Sequence, residues 1–184
     1  MMEVCSKAEC IMDHLSDFSK GDVVKVHTSQ LSDFKKTASG NQVKRRYRLC
    51  LQDSPSNKLQ DMLICRTRGD YYRPDKHGGI PETHTIIDGR EEIVLFSDNG
   101  EIVDVFTLDR ADGHLCYRVN SDIFHMTVVL SEFAIDHEVK PGPFTNESNI
   151  YPIWAPDGSD PDENERFLKE LEQRIRAYKT ANET

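Results

Sequence analysis

The fold is decided by the pattern of residues 92–108, EIVLFSDNGEIVDVFTL. Two runs rich in β-branched and aromatic residues, 92–96 and 102–108, lie on either side of the turn sequence Asp98-Asn99-Gly100. Asn-Gly favours the tight turns of β-hairpins, because both residues tolerate positive φ. The stretch therefore predicts two antiparallel strands joined by a tight turn.

The same pattern continues on both sides of this hairpin. Turn sequences such as Asp53-Ser54-Pro55-Ser56-Asn57, Asp88-Gly89 and Asp112-Gly113 separate further short runs of the same kind. Eight short strands predict a closed barrel or a jelly roll, because an open sheet of that size would leave its edges exposed. The six further runs are 47–51, 61–66, 83–87, 115–119, 125–130 and 133–139.

The N-terminal segment is determined less strongly than the strands. Within it, residues 23–26 predict a strand, and a capped helix is expected to begin near Ser29 or Ser32. The remaining short pieces are compatible with helix. We therefore predict an N-terminal extension of short helices and a strand in residues 1–41, followed by the barrel in residues 42–142.

The C-terminal segment, 143–184, combines a Pro-rich stretch with a helix. Asp160 can cap the helix, and Pro161 suits its first position. The helix has a single apolar face, which we expect to pack on the barrel or on a second subunit. That face comprises Phe167, Leu168, Leu171, Ile175 and Tyr178.

Composition excludes several classes of protein. The 184 residues carry 23 Lys and Arg against 32 Asp and Glu, and the net charge of −9 repels nucleic acid phosphates. No apolar run approaches the ~20 residues of a membrane span, and residues 1–19 mix charges into their apolar positions, unlike a signal peptide. The five cysteines lack CxxC spacing, which is typical of reduced structural thiols. These features predict a cytoplasmic protein that binds neither nucleic acid nor membrane.

Three short pieces carry the residue types of a metal site. In an extended chain, residues two apart face the same side, so Asp75 pairs with His77 and Glu82 pairs with His84. His125 opens an otherwise apolar strand and needs a polar partner in the interior. Imidazole and carboxylate together suit a divalent ion such as Zn, Mn, Fe or Ni, although histidines on strands are often satisfied without a metal.

The first of these pieces resembles the first sequence motif of the cupins. That motif has a Gly, a His-x-His, a Glu and a closing Gly. This chain has Gly69, Asp75-x-His77, Glu82 and Gly89 in the same order. Asp75 thus stands where the family has its first histidine.

The piece around His125 resembles the second cupin motif. That motif has a Gly, then a Pro-x-Gly, then a His. Gly113 and His125 match it, whereas Asn120 replaces the Pro and Asp122 replaces the following Gly. The second motif is therefore matched only in part.

More narrowly, residues 42–158 resemble the WbuC-type cupin-fold metalloprotein family. The resemblance implies a jelly-roll β-barrel, a divalent metal held by His77, Glu82 and His125, and an association with bacterial surface-polysaccharide synthesis. Asp75 could act as a further ligand, or the site could be weakened or lost. Five pieces carry the resemblance: Pro74-Asp75-Lys76-His77, Glu82-Thr83, Phe96-Ser97-Asp98-Asn99-Gly100, Glu138-Val139-Lys140-Pro141-Gly142-Pro143 and Trp154-Ala155-Pro156.

A local excess of basic residues is consistent with a phosphate-bearing ligand such as a nucleotide sugar. Residues 44–76 contain nine basic and four acidic residues. Arg66 and Arg68 share a strand face, as do Arg46 and Arg48, and such pairs can contact phosphate oxygens. Solvated arginines on the outer face of a strand would show the same spacing. We predict ligand binding by Arg66, Arg68 and Arg73.

Three functions remain open from the sequence. The first is a metal-dependent sugar isomerase or epimerase in which His84, Tyr71 or Tyr117 moves a proton. The second is an Fe(II) dioxygenase with a two-His-one-carboxylate centre. The third is a non-catalytic module that binds a metal or a sugar. For each of them we expect a homodimer.

Overall fold

The computed structural model describes residues 15–40, 46–145 and 149–182 of the chain. Within these residues, seven strands and two α-helices form, and a 3-10 turn at Thr28–Gln30 precedes the first helix. The elements are β1 Leu15–Phe18, α1 Leu31–Gly40, β2 Arg46–Cys50, β3 Leu59–Thr67, β4 Glu82–Phe96, β5 Ile102–Asp109, β6 Cys116–Val119, β7 Phe124–Pro141 and α2 Pro161–Asn182.

Two long antiparallel strands, β4 and β7, form the centre of the fold. The strand order is β1-β2-β3-β7-β4-β5, with β6 also paired to β4. β6 pairs with the first residues of β4, and β5 pairs with its last residues. On the other side, β3 pairs with the second half of β7. The two ends of the long strands therefore belong to two different faces of a jelly roll.

A bend at Gly89 allows the two ends of β4 to belong to the two different faces of the jelly roll. Register shifts flank this residue, between Ile86 and Asp88 and between Gly89 and Glu91. Gly89 has a φ of 77°, and a Cβ there would overlap the carbonyl oxygen of Phe133 on β7. Such bulges bend a strand without ending it.

This bend corrects the sequence prediction at two points. We predicted separate strands at 83–87 and 92–96, but Asp88-Gly89 is a bulge within β4 instead of a turn. The predicted strands 125–130 and 133–139 are likewise one strand, β7. The predicted mainly β jelly-roll fold with a C-terminal helix is nevertheless confirmed.

The helix α1 covers the outer face of β2, β3 and β7. Phe34 and Ala38 pack there against a cluster that includes Leu49, Leu63 and Ile135. Side chains alternate between the two faces of a strand. The polar residues of these strands therefore lie on the face opposite α1, which points into the protein.

The helix α2 begins as predicted. The Asp160 carboxylate accepts hydrogen bonds from the backbone N–H of Asp162 (2.9 Å) and of Glu163 (3.3 Å). Leu171 and Ile175 are buried against a cluster on the β structure of the same chain. Of the two alternatives for this face, packing on the barrel is therefore the one observed.

The N-terminal segment differs from its prediction. Residues 23–26 form no strand, whereas β1 lies in a stretch predicted as helix-compatible and runs parallel to β2. The helix predicted near Ser29 or Ser32 is confirmed as α1, and His27 forms the capping box of the 3-10 turn that precedes it. The predicted boundary between residues 41 and 42 lies outside the described residues. No helix among the described residues combines the length and apolar character that a membrane crossing requires.

Candidate metal centre and its cavity

One face of five neighbouring strands carries polar side chains into the interior. Residues directly opposite each other in register share a face, so pairs such as Arg46 with Arg66 and His84 with Tyr117 point the same way. A cavity of about 900 Å³ lies over this inner face. The polar residues of the inner face include Arg46, Arg48, Gln60, Arg66, Glu82, His84, Tyr117, Asp136, Glu138 and Lys140.

The same cavity is also lined by a group of three potential metal ligands, Asp75, His77 and His125. Asp75 and His125 form an antiparallel bridge, with backbone N–H···O distances of 3.1 and 3.0 Å in the two directions. His77 follows on the same side of the segment. One ligand atom from each of Asp75, His77 and His125 lies within 4.8 Å of the other two. Both histidines are buried.

Glu82, the first residue of β4, contacts both of these histidines. Its Oε2 lies 3.0 Å from His77 Nε2, and its Oε1 lies 2.5 Å from His125 Nε2. Burial alone would raise the pKa of Glu82, but hydrogen bonds from His125, His77 and His84 outweigh it and hold the pKa well below its ordinary value. Glu82 is therefore an anion at neutral pH. All four predicted ligands are thus gathered in one place.

The donor set of this site fits a divalent cation. His125 Nδ1 lies 3.1 Å from the carbonyl oxygen of Ile123, which turns Nε2 towards the site. Burial raises the pKa of Asp75, since its charge is unfavourable there without a cation. Two imidazoles and one or two carboxylates are a usual donor set for Zn, Mn, Fe or Ni. Asp75, His77 and His125 would hold the ion, with Glu82 beside it.

A second group, next to Glu82, contains two of the predicted catalytic residues. His84 Nδ1 lies 2.8 Å from Asp136 Oδ2, and its Nε2 lies 3.5 Å from Glu82 Oε1. Tyr117 stacks on the His84 ring, with a centroid distance of 4.9 Å and an interplanar angle of 5°. His84 Nε2 and the Tyr117 hydroxyl are both buried without a hydrogen-bond partner. Two polar atoms therefore remain available to a ligand in the cavity.

Asp136 holds this group together, and the sequence prediction missed it. Its other oxygen accepts a hydrogen bond from Arg66. Burial lowers the pKa of His84, but the hydrogen bond to Asp136 and the nearby carboxylate of Glu82 outweigh this and raise it to about 10. Arg66, Asp136 and His84 form a continuous buried chain, which we call the network.

The third predicted catalytic residue, Tyr71, differs from the other two. It lines the cavity, but its hydroxyl donates a hydrogen bond to the carbonyl oxygen of Pro156 (2.9 Å). Its ring packs edge-on against Phe167 of α2. Because its hydroxyl is already occupied, Tyr71 is the weakest of the three candidates for proton transfer.

Of the three predicted ligand-binding arginines, Arg66 and Arg73 line the cavity and Arg68 does not. Arg66 lines the cavity within the network, and Arg73 lines it beside Tyr151, 4.7 Å from the ring centroid. Arg68 is exposed beyond the end of β3 and is not part of the lining. The prediction that Arg66 and Arg68 bind a ligand from one strand face is therefore wrong for Arg68, which lies on an outer surface. Arg46 and Arg48, the other same-face pair, do line the cavity.

Comparisons with known proteins bear on the fold. A family model described as a domain of unknown function (DUF6016) matches residues 26–108. A sequence comparison with curated proteins finds no match. Among solved structures, protein SO0799 from Shewanella oneidensis is similar with a TM-score of 0.51 and 14% identity, over 65% of this chain and 82% of that chain.

Two larger proteins give weaker structural matches. The oxalate decarboxylase of Lactobacillus farciminis, in a formate complex, has a TM-score of 0.46 and 13% identity, over 60% of this chain and 32% of its own. Procruciferin, an 11S globulin of Brassica napus, has a TM-score of 0.40 and 14% identity, over 47% of this chain and 21% of its own. The chain has a cupin-type jelly-roll fold, and the interior of that fold carries a candidate metal centre.

Proposed function

We propose that the protein is a metal-dependent enzyme that isomerises or epimerises a sugar or nucleotide sugar. The position of His84 carries this proposal. On one side, its Nε2 is 3.5 Å from Glu82 at the candidate metal centre, and on the other side Asp136 binds its Nδ1. Isomerases and epimerases of sugars move a proton beside a polarised carbonyl, so they need an acid–base group close to a Lewis acid.

Each residue has a distinct role in this proposal. The bound ion would polarise a carbonyl or hydroxyl oxygen of the substrate. Asp136 orients His84 and stabilises its protonated form, and His84 Nε2 donates a proton to the substrate and later recovers it. The Tyr117 hydroxyl, buried and without a partner, supplies a second proton-transfer group.

The size and charge of the cavity support a sugar derivative as substrate. A volume of about 900 Å³ is at the upper end of the range for small-molecule sites, which suits a nucleotide sugar better than a small acid. The resemblance to the WbuC-type family further supports a role in bacterial surface-polysaccharide synthesis. A cytoplasmic homodimer remains part of the proposal, and sedimentation of a 42 kDa species, about twice the 21.1 kDa chain, would support it.

A second function is favoured by one specific observation. Asp75, His77 and His125 form a two-His-one-carboxylate group with their ligand atoms within 4.8 Å of one another. This is the donor set of Fe(II) oxygenases. Stoichiometric iron together with substrate-dependent oxygen uptake would support a dioxygenase over an isomerase.

The test is hydrogen exchange at carbon. Metal-loaded protein would be incubated without oxygen in D₂O with fructose 6-phosphate and with a nucleotide-bound 4-keto sugar, and the C–H signals followed by NMR. We expect deuterium incorporation that falls by about 10²-fold or more in His84→Gln and by about tenfold in Tyr117→Phe. Metal content should be unchanged in both variants.

Tyr178→Phe is the matched control for these variants. Its hydroxyl donates to the carbonyl oxygen of Val103, away from the cavity lining. Exchange in this variant should equal that of the wild type. Equal exchange in wild type and His84→Gln would contradict the role of His84. A metal-loaded protein with neither exchange nor oxygen uptake on a broad sugar panel would contradict an enzymatic function.

A further inference from the structure

Lys76 stands between two of the candidate metal ligands, but its side chain lies outside the cavity. Successive side chains of an extended segment point to opposite sides, so Lys76 points away from the side that Asp75 and His77 share. Both of these candidate ligands line the cavity, whereas Lys76 does not. Only 13% of the Lys76 side chain is exposed, so contacts elsewhere in the fold hold it.

The ammonium group of Lys76 binds two turns that are separate in the chain. Its Nζ lies 2.9 Å from Asp98 Oδ1, in the turn between β4 and β5, and 3.1 Å from Asp122 Oδ2, in the turn before β7. It also lies 4.6 Å from the centre of the Phe124 ring. Asp122 is the third residue before His125. The ion pair with Asp122 therefore joins two segments that carry candidate ligands.

The backbone around Lys76 is attached on both edges. Lys76 exchanges two hydrogen bonds with Ile150, with N···O distances of 3.0 and 2.8 Å. The preceding residue, Asp75, exchanges two with His125. Each of these is an isolated bridge and not part of a long ladder. The side chain of Lys76 therefore adds a further attachment to a segment that few backbone hydrogen bonds hold.

The position of this segment matters most for Asp75. Its Oδ1 lies 3.9 Å from His125 Nε2. An aspartate has a single methylene group between its backbone and its carboxylate. Its oxygens therefore reach the other candidate ligands only while the backbone of Asp75 stays close to the start of β7.

We infer that Lys76 is a positioning residue of the candidate metal centre. By binding Asp98 and Asp122, it holds the candidate ligands of its own segment against the start of β7. Exposed ion pairs contribute little to folding stability, and the side chains of these aspartates are 83% and 44% exposed. Loss of Lys76 should therefore affect metal binding more than stability. The inference rests on the proposed function, because the group that Lys76 positions is the candidate metal centre.

The test is titration of metal-free protein with Co²⁺ in competition with a chromogenic chelator, together with the visible spectrum of the bound ion. Lys76→Met keeps an unbranched side chain but removes its charge. We expect it to weaken Co²⁺ binding by about tenfold or more and to change the spectrum. The Tm of the metal-free variant should fall by less than about 5 °C. Lys76→Arg should bind within about threefold of wild type, because a guanidinium group can also bind two carboxylates.

Lys35→Met is the matched control. Lys35 also pairs with an aspartate, Asp88 at 2.7 Å, and lies 6.0 Å from the centre of the Phe133 ring, but it is on α1 and does not line the cavity. Its Co²⁺ affinity and spectrum should equal those of wild type. Asp122→Asn should also weaken binding, with little further effect in the Lys76→Met background.

The outcomes separate this inference from the proposed function. Wild type that binds no Co²⁺ contradicts the proposed function and, with it, this inference. If wild type binds Co²⁺ and Lys76→Met binds it with equal affinity and an unchanged spectrum, only this inference is overturned. Equal weakening in Lys76→Met and Lys35→Met also overturns it, because the effect would then be independent of position. Circular dichroism checks folding, and Asp122→Asn decides if Lys76→Met does not fold.

Discussion

The candidate metal centre and the network differ in how their charges are balanced. At the metal centre, Asp75 and Glu82 lie among histidines, and an ion from solution would complete the balance. In the network, Asp136 is paired within the chain, with Arg66 on one oxygen and His84 on the other. The charges of the candidate metal centre would be balanced by a bound ion, whereas those of the network are balanced within the chain. Substitutions at the metal centre should mainly change binding, and substitutions in the network should mainly change stability.

The largest expected effect is loss of the metal in His125→Ala. Wild type purified without a chelator or affinity tag should carry close to one divalent ion per chain, and His125→Ala should carry almost none. His137→Ala is the control. His137 lies on β7, as His125 does, but it is on the outer face and pairs with Asp61 of β3. Elemental analysis measures all three proteins. Equal metal in wild type and His125→Ala would remove His125 from the ligand set.

The next effect is on folding stability. Asp136→Asn should lower the free energy of unfolding by about 3–5 kcal/mol, because it leaves Arg66 buried without its carboxylate. Asp61→Asn, which breaks a half-exposed pair with His137, should cost less than about 1 kcal/mol. Denaturant unfolding of metal-free protein compares the two. Similar losses in both variants would contradict the structural role of the network.

Metal addition should stabilise the wild type by a smaller amount. At an ion concentration of 100 times Kd, the gain is about 2.7 kcal/mol. For a chain of this size that raises Tm by about 5–10 °C. His125→Ala should show no rise, whereas His137→Ala should behave as wild type. A rise of equal size in His125→Ala would mean that the ion binds elsewhere.

The smallest effect concerns Glu91 and pH. Its pKa is about 8 in the folded protein, mainly because of burial and then because of Asp136, against an ordinary value of 4.5. The folded state therefore holds a proton that the unfolded state releases, so stability falls as pH rises from about 4.5 to 8. Glu91→Gln should flatten this decline by at least about 1 kcal/mol. Unfolding at pH 5 and pH 8 measures it, and parallel pH profiles would contradict the raised pKa.

Local patterns predicted most of the strand-forming segments and several residues that lie together at the candidate metal centre. The hairpin at Asp98-Asn99-Gly100 and the cap at Asp160 depend on neighbouring residues, and both are found. The candidate ligands Asp75, His77 and Glu82 lie within one short segment, so spacing and family resemblance together could point to them. His125 required the resemblance as well, because a single histidine on a strand has no specific signal.

Features that depend on sheet register were missed. In β7, Asp136, Glu138 and Lys140 alternate with less polar residues, a pattern that normally indicates a solvent-facing side. Here α1 covers the apolar side, and the polar side lines the cavity. The turn predicted at Asp88-Gly89 was wrong for a related reason. The dipeptide Asp-Gly occurs both where a chain reverses and where a strand only bends, and the sequence does not distinguish the two.

The pairing of β4 with β7 also has a kinetic consequence. Thr83 pairs with Val139 and Leu59 pairs with Pro141, so the central contacts join distant parts of the chain. Folds dominated by such contacts form slowly, because loop closure precedes most of the favourable interactions. The bridge between Asp75 and His125 joins residues 50 positions apart in the chain, so we expect a metal ion to bind only an almost complete fold. An added ion should therefore slow unfolding and leave the folding rate unchanged.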